Sequence, residues 1–219
     1  MKNKYNSTNF LKKCLLSFLL FSFFGNTKAT TTDTATIVGH ALSEVAISLN
    51  ELPYSDFCLL KSTLNNNNLS EQQKLAILYS DFEVKNFMDT LMNCMATLNN
   101  YNAHNYAESL EKRAAIINVV GHDFDSRPNG GPCAAYNAQR WNCNADYTAC
   151  GLAAYYLCIS TAVYYPLCAG AWALVCTTQM VTCHYANAAL YPNCAGGQGV
   201  HVDWHDWLDN QSPSSNCQE

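Results

Sequence analysis

The fold is decided by residues 133–194, whose sequence is CAAYNAQRWNCNADYTACGLAAYYLCISTAVYYPLCAGAWALVCTTQMVTCHYANAALYPNC. Eight of the 12 cysteines of the protein lie in this segment. A C-x-x-C pattern occurs nowhere in the 219-residue chain, which argues against zinc ribbons, zinc knuckles and thioredoxin-like redox motifs. So high a local density of cysteine is typical of a disulfide scaffold.

The spacing of these eight cysteines is nearly a mirror image. They stand at positions 133, 143, 150, 158, 168, 176, 183 and 194. When the innermost two are paired and the pairing is continued outwards, the two position numbers sum to 326 for three pairs and to 327 for the outermost. Two antiparallel helices require such a constant sum, because both rise by the same distance per residue.

Helix geometry supports pairing between two helices and excludes pairing within one. Steps of seven and eight residues place Cys143, Cys150 and Cys158 on one helix face. Neighbours seven apart on a helix are separated by about 10.5 Å, whereas a disulfide needs Cα atoms within about 7 Å. The sequence therefore predicts an all-α hairpin with four bridges: Cys133–Cys194, Cys143–Cys183, Cys150–Cys176 and Cys158–Cys168. A loop-rich knot with another connectivity is the alternative.

The residues between the cysteines suit two closely packed helices. Small side chains would let the backbones approach, and the chain would reverse at Tyr164–Pro166, since proline suits a turn. Residues 147–202 contain no Asp, Glu, Lys or Arg. Each arm has about 17 largely apolar residues, which is the lower limit for a membrane-spanning helix. A buried hairpin is the first interpretation and a membrane-inserting hairpin is the second.

The first 29 residues have the pattern of an export signal. Lysines precede an apolar run from Leu15 to Phe24, and the small residues Thr27 and Ala29 suit a signal peptidase. Cleavage after Ala29 removes Cys14 and five lysines, so seven basic residues (12 − 5) remain beside 17 acidic ones, a net charge of −10. We expect a secreted protein, extracellular or periplasmic, that does not bind nucleic acid, because such binding needs a basic surface.

The rest of the chain divides by composition. Residues 30–121 show helical periodicity, which predicts an N-terminal domain of short helices, one opened by a capping box at Ser70 and Gln73 and the last ending at Gly121. Residues 122–132 are rich in turn formers and predict a linker. In this linker Gly130–Gly131 resembles a processing site of secreted peptides, with a simple turn as the alternative. Residues 195–219 form a tail rich in Gly, His and Trp.

Three cysteines of the mature chain lie outside the mirror pattern. Cys58 and Cys94 fall on two predicted helices, and we expect them to form a fifth bridge because they are left over. Cys217 is the odd thiol. It could bridge two chains, stay free, or take the place of one of the partners assigned above.

Few residues suggest chemistry. His201, Asp203 and His205 alternate, so an extended segment would place them on one face, where they could hold a divalent cation. The alternative is that neighbouring Trp204 and Trp207 anchor the tail while these three side chains face water. No common catalytic signature is present, and an enzyme or a bound cofactor is not expected.

Two further groups of residues are weaker candidates for catalysis. His122, Asp123 and Asp125 form a second small cluster, for which a capping role in a turn is the preferred interpretation. Cys183 and His184 are adjacent, as a thiolate nucleophile and its base could be. The predicted bridge would consume Cys183, and sequence neighbours on a helix point in different directions.

An export signal, a charged helical segment and an almost charge-free cysteine-rich module resemble the precursors of cysteine-rich secreted bacteriocins of the halocin-like and fulvocin-like groups. The module also resembles the twin-cysteine hairpins of coiled-coil-helix proteins, which place nine residues between cysteines where this chain has six. The first resemblance implies a non-enzymatic hairpin that contacts a membrane or a protein partner. The alternatives are an extracellular structural or binding protein, whose hairpin packs on the N-terminal helices, and a metal-dependent enzyme that uses the tail histidines.

Overall fold

A computed structural model of the protein describes residues 31–103, 109–124, 133–159 and 165–195. This part of the chain is helical and has no β-strand, so the all-α prediction is confirmed. The helices are α1 (Thr31–Asn50), α2 (Tyr54–Asn65), α3 (Glu71–Ser80), α4 (Phe82–Asn100), α5 (Leu110–Phe124), α6 (Ala134–Ile159), α7 (Tyr165–Leu190) and the single turn α8 (Pro192–Ala195). The first five helices form an N-terminal bundle, and α6 and α7 form the hairpin.

Local sequence signals set several helix boundaries. Ser70 and Gln73 form the predicted capping box of α3, in which the Ser70 Oγ accepts a hydrogen bond from the Gln73 amide and the Gln73 side chain accepts one from the Ser70 amide. Asp81 caps α4 by accepting a hydrogen bond from the Val84 amide at 2.9 Å, without the reciprocal bond. Such caps satisfy backbone donors that the first helical turn leaves unpaired.

The last helix of the bundle does not end at Gly121, as the sequence suggested. It continues to Phe124, whose ring is buried in the core. A Cβ atom on Gly121 would lie 3.0 Å from the Asn144 side chain of α6. Gly121 is therefore a point of close contact between α5 and the hairpin and not a helix terminator.

One hydrophobic core runs through the bundle and the hairpin. It includes Val38 and Leu42 of α1, Phe87 of α4, Tyr147 of α6 and Met180 of α7. Because the hairpin contributes to the same core as α1–α5, its inner side is covered by the bundle. Burial of this shared apolar surface is the main source of attraction between the two parts.

The bundle depends on a close approach between α1 and α5. A Cβ atom on Gly39 would lie 2.6 Å from the Cβ of Val119. One helical turn later on both helices, Ser43 contacts Asp123. The two helices therefore run in the same direction, and glycine at position 39 sets how closely they pack.

Gly39→Ala is expected to lower the free energy of unfolding by about 1–2 kcal/mol, because overpacking against Val119 outweighs the gain in helix propensity. Gly170→Ala is the matched control. A Cβ there meets Leu64 at 3.4 Å, an ordinary contact, so the helix propensity gain is expected to stabilise the protein by up to about 1 kcal/mol. Urea denaturation of both variants measures the difference, and equal stabilisation by both would contradict the assigned role of Gly39.

Candidate functional site: the disulfide-braced hairpin

The four predicted bridges are all present in the hairpin. Cys133–Cys194, Cys143–Cys183, Cys150–Cys176 and Cys158–Cys168 have Cα–Cα distances of 5.5 to 5.7 Å. These distances are closer than the 8–10 Å of ordinary helix pairs, as a disulfide requires. The predicted connectivity is confirmed, and Cys183 cannot serve as a nucleophile because it is bonded.

The predicted Cys58–Cys94 bridge is wrong. Cys94 is a buried free thiol, whereas Cys58 is disulfide-bonded. Cys94 lies on the side of α4 that faces the core, where burial, and to a smaller extent the Glu44 charge, raise its pKa to about 12. A thiol that stays protonated at neutral pH is inert. Cys217 lies outside the described residues, as do His201, Asp203 and His205.

Buried polar contacts join α6 and α7 between the bridges. The His184 Nε2 lies 2.9 Å from the Asn144 Oδ1, and the Asn187 side-chain amide donates to the Tyr136 carbonyl at 3.0 Å. Asn144 and His184 each follow a cysteine of the same bridge, so they meet at one level of the hairpin. Buried polar groups need such partners, and these contacts favour one register of the two helices.

A buried arginine lies at the open end of the hairpin, where α6 begins and α7 ends. The Arg140 guanidinium stacks over the Tyr136 ring at 5.6 Å and donates to the Asn137 Oδ1 at 3.3 Å. The Tyr191 ring contacts Tyr136 edge-on, with centroids 6.3 Å apart. The open end is therefore a packed aromatic and cationic layer beside the Cys133–Cys194 bridge.

Three side chains fasten the hairpin to the bundle. The Tyr147 hydroxyl donates to the Leu42 carbonyl of α1 at 2.5 Å, and its ring contacts Phe124 edge-on at 5.7 Å. Burial is the largest cause of the raised pKa of Tyr147, which keeps the phenol neutral. Nearer the closed end, formed by the end of α6 and the start of α7, the Tyr155 hydroxyl donates to the Asn99 Oδ1 at 3.0 Å. Nearer the open end, the Trp141 indole donates to the Asn118 Oδ1 at 3.3 Å.

The weak cluster at His122, Asp123 and Asp125 has a different role from the predicted turn cap. Asp123 lies within α5, and its Oδ2 accepts a hydrogen bond from the Ser43 Oγ and lies 2.7 Å from the His40 Nδ1. Both partners are on α1, and Asp125 lies outside the described residues. The Ser43 hydroxyl is buried and bonded to the carboxylate rather than to the imidazole, so it is not activated as a nucleophile. The contacts of Asp123 with His40 and Ser43 therefore join α5 to α1.

Metal binding finds no support in the described ranges. No group of three or more His, Cys, Asp or Glu side chains there could hold a metal ion. The candidate ligands at 201, 203 and 205 fall beyond residue 195 and stay a prediction. The eight cysteines of the hairpin are all bonded in its four disulfides, so none of them is a thiolate that could bind a metal ion.

The exposed surface of the hairpin is mixed at the open end and apolar at the closed end. Towards the open end the exposed side chains include polar ones, Gln139, Asn142, Asp146, Gln179 and Thr182, and large apolar ones, Trp141, Tyr185 and Leu190. Towards the closed end they are apolar: Tyr156, Leu157, Ile159, Ala171 and Val175. The exposed described residues of this half of the hairpin include no Asp, Glu, Lys or Arg.

Among the helices of the described residues, α7 is long and apolar enough to cross a membrane, by length and composition only. In the fold, 44% of its most apolar 18-residue stretch is buried. A core helix passes the same test of length and composition, and the part of α7 that faces α4 belongs to the common core.

No known protein family matches this chain, and neither a curated protein nor a solved structure is similar to it. The interpretation of the hairpin therefore depends on its own geometry.

Proposed function

We propose that this is an exported binding protein that works as one folded unit and presents the outer side of its disulfide-braced hairpin as the contact surface. The observation that carries the proposal is the continuous core shared by the bundle and the hairpin. The bundle covers the inner side of the hairpin, so the exposed outer side is what remains for a partner. The proposal includes no catalytic step.

Export is supported by the density of disulfides, since such bridges persist in oxidising compartments. Four bridges lie within the hairpin and Cys58 is part of a further one. The apolar run after the N-terminal lysines is the sequence feature that would direct export. These two features together support an extracellular or periplasmic location.

The contacts of Tyr147 and Tyr155 support the view that bundle and hairpin form one folded unit. Each phenol hydroxyl donates a hydrogen bond to an oxygen atom of the bundle, and Tyr147 is buried. Separating the hairpin from the bundle would expose both this tyrosine and the apolar residues around it. The cost of exposing that surface opposes release of the hairpin as an independent peptide.

A bacteriocin-like hairpin, freed by processing near Gly131, is the second candidate. The length and apolar composition of α7 favour it, because a freed α7 would be able to enter a bilayer. The two candidates differ in what cleavage of the segment between α5 and α6 does.

Cleavage at a protease site engineered into residues 125–132 is expected to leave the two pieces together. The experiment uses the oxidised protein with Cys58→Ser, so that no disulfide of Cys58 can link the pieces. We expect the cleaved protein to elute from a sizing column at the position of the uncleaved one, because the common core is intact. A denaturing gel confirms the cut.

Separate elution of a folded hairpin from the same sample would reject the proposed unity and favour the second candidate. Uncleaved protein that carries the same Cys58→Ser change is the control, and it must keep the thermal transition of the unmodified protein.

A further inference from the structure

We propose that Cys217, in the segment beyond Ala195, forms a disulfide with Cys58 of α2 and so ties the C-terminal end of the chain to the bundle. The inference rests on the proposed export, because loss of the signal segment removes the other candidate partner. It adds to the proposed function a covalent link between bundle and hairpin that does not pass through the segment between α5 and α6.

The bonding of the described cysteines leaves few partners for Cys58. Eight cysteines bond one another within the hairpin. Cys94 is a free thiol that is buried in the common core. Cys58 is nevertheless disulfide-bonded. Among the 12 cysteines of one chain, the candidates for its partner are therefore Cys14 and Cys217.

Export selects one of these two candidates. Cys14 directly precedes the apolar run that begins at Leu15, so cleavage after Ala29 removes it with the signal segment. The mature chain then has 11 cysteines (12 − 1), of which five bridges use ten and one stays a thiol. Cys94 is that thiol, and Cys217 is the cysteine that remains for Cys58.

The segment beyond Ala195 is long enough to reach Cys58. It places 22 residues (217 − 195) before Cys217, which span up to about 70 Å when extended. Leu64, near the end of α2, lies beside Gly170 of α7, where a Cβ atom would meet it at 3.4 Å. At the rise of a helix, Gly170 is about 40 Å from Ala195 and Leu64 is about 9 Å from Cys58. These two steps together are shorter than the available reach.

The positions of the two cysteines of the bundle explain why Cys58 is the one that pairs. Cys58 is half-buried on α2, whereas Cys94 is 4% exposed on the core side of α4. A second chain segment can approach the first thiol without opening the core, and it cannot approach the second. Access of this kind controls which thiols form disulfides.

The oxidation uses the same chemistry as the four bridges of the hairpin. The two thiols lose two protons and two electrons as the sulfur–sulfur bond forms. A disulfide-bearing oxidant of the export compartment takes them up and is reduced to a dithiol.

A consequence concerns release of the hairpin. With this bridge, bundle and hairpin are joined both by the segment between α5 and α6 and by Cys58–Cys217. A cut in that segment leaves the two pieces linked, so a free hairpin requires a cut and a reductant together.

The first test counts free thiols in the mature, oxidised protein, in denaturant and without reductant. We expect one thiol per chain for the unmodified protein and two for Cys217→Ser, because Cys58 then has no partner. Cys94→Ala is the matched control and is expected to have none. A peptide map of the unmodified, unreduced protein, which depends on no variant, is expected to show the peptide of Cys58 joined to that of Cys217.

The second test uses the protease site engineered into residues 125–132, here with Cys58 kept. After cleavage, a denaturing gel without reductant is expected to show one band of full mass, and the same gel with reductant two bands. Cys217→Ser is expected to give two bands on both gels, and Cys94→Ala is expected to behave like the unmodified protein.

The proposal is overturned if the unmodified protein has three free thiols, or if the peptide map joins Cys58 to any other cysteine. It is also overturned if the bridge joins two chains, which a denaturing gel without reductant would show as a dimer. The sizing-column experiment above lacks Cys58 and tests the common core alone. A protein that passes that experiment but has three free thiols retains the proposed function and loses only this bridge.

Discussion

Reduction of the four bridges between α6 and α7 is expected to unfold the hairpin at neutral pH. Each bridge contributes about 2–4 kcal/mol by restricting the unfolded chain, so the four together contribute on the order of 10 kcal/mol. The whole free energy of unfolding of a small domain is about 5–15 kcal/mol. Far-ultraviolet circular dichroism with and without a thiol reductant measures the expected loss of helix.

The same prediction extends to single bridges. Cys133–Cys194 spans 61 residues and Cys158–Cys168 spans 10, yet the bridges are nested. With the inner bridges intact, opening the outermost frees only the short segments up to Cys143 and Cys183. Replacing either pair by alanine is therefore expected to cost about 3 kcal/mol, with less than about 1 kcal/mol between them.

Urea denaturation of the two double variants tests the nesting. A cost that grows with the full sequence separation of the bridge would contradict it, as would a reduced protein that keeps its helices and its cooperative transition. Reduction of the Cys58→Ser variant in parallel separates the effect of the four hairpin bridges on stability from the effect of the Cys58 disulfide.

Tyr147→Ala is expected to lower the free energy of unfolding by about 3–5 kcal/mol, because it leaves a cavity where an aromatic ring is buried between bundle and hairpin. The ring is 3% exposed, contacts Phe124 and donates to the Leu42 carbonyl. Tyr147→Phe keeps the ring and loses the hydroxyl, for an expected cost of about 1 kcal/mol.

Tyr156→Ala is the matched control, since this neighbouring tyrosine of α6 is exposed and its loss is expected to change stability by less than about 0.5 kcal/mol. Urea denaturation of the three variants gives the values. Similar small costs for Tyr147→Ala and Tyr156→Ala would mean that the hairpin is not held in the common core, and would count against the proposed function as well.

The hairpin was predictable because the spacing of its cysteines along the sequence determines how the two helices align. Steps of seven and eight residues place cysteines on one helix face, and the limited reach of a disulfide leaves one level-by-level pairing. The same rule could have indicated the Asn144–His184 contact, since each residue follows a cysteine of one bridge. The capping box at Ser70 was predictable for a similar reason, because its partner Gln73 is three residues away.

The Cys58–Cys94 prediction failed because it rested on elimination and not on geometry. Nothing in the spacing of two cysteines on separate helices fixes their distance, and Cys94 lies instead in the core as a free thiol. The pairing of Asp123 with His40 was missed because 83 positions separate them and no local pattern links them. The end of α5 was misplaced because Gly121 serves close packing there and not helix termination.

The sequence by itself determined an all-helical chain and a hairpin with four bridges in one register, because covalent reach and helical periodicity admit few solutions. Only the tertiary structure decided that bundle and hairpin share one core, that Tyr147 joins them, and which side chains of the hairpin stay exposed. An apolar helix face fits many partners, so the choice among them depends on the packing of the whole chain.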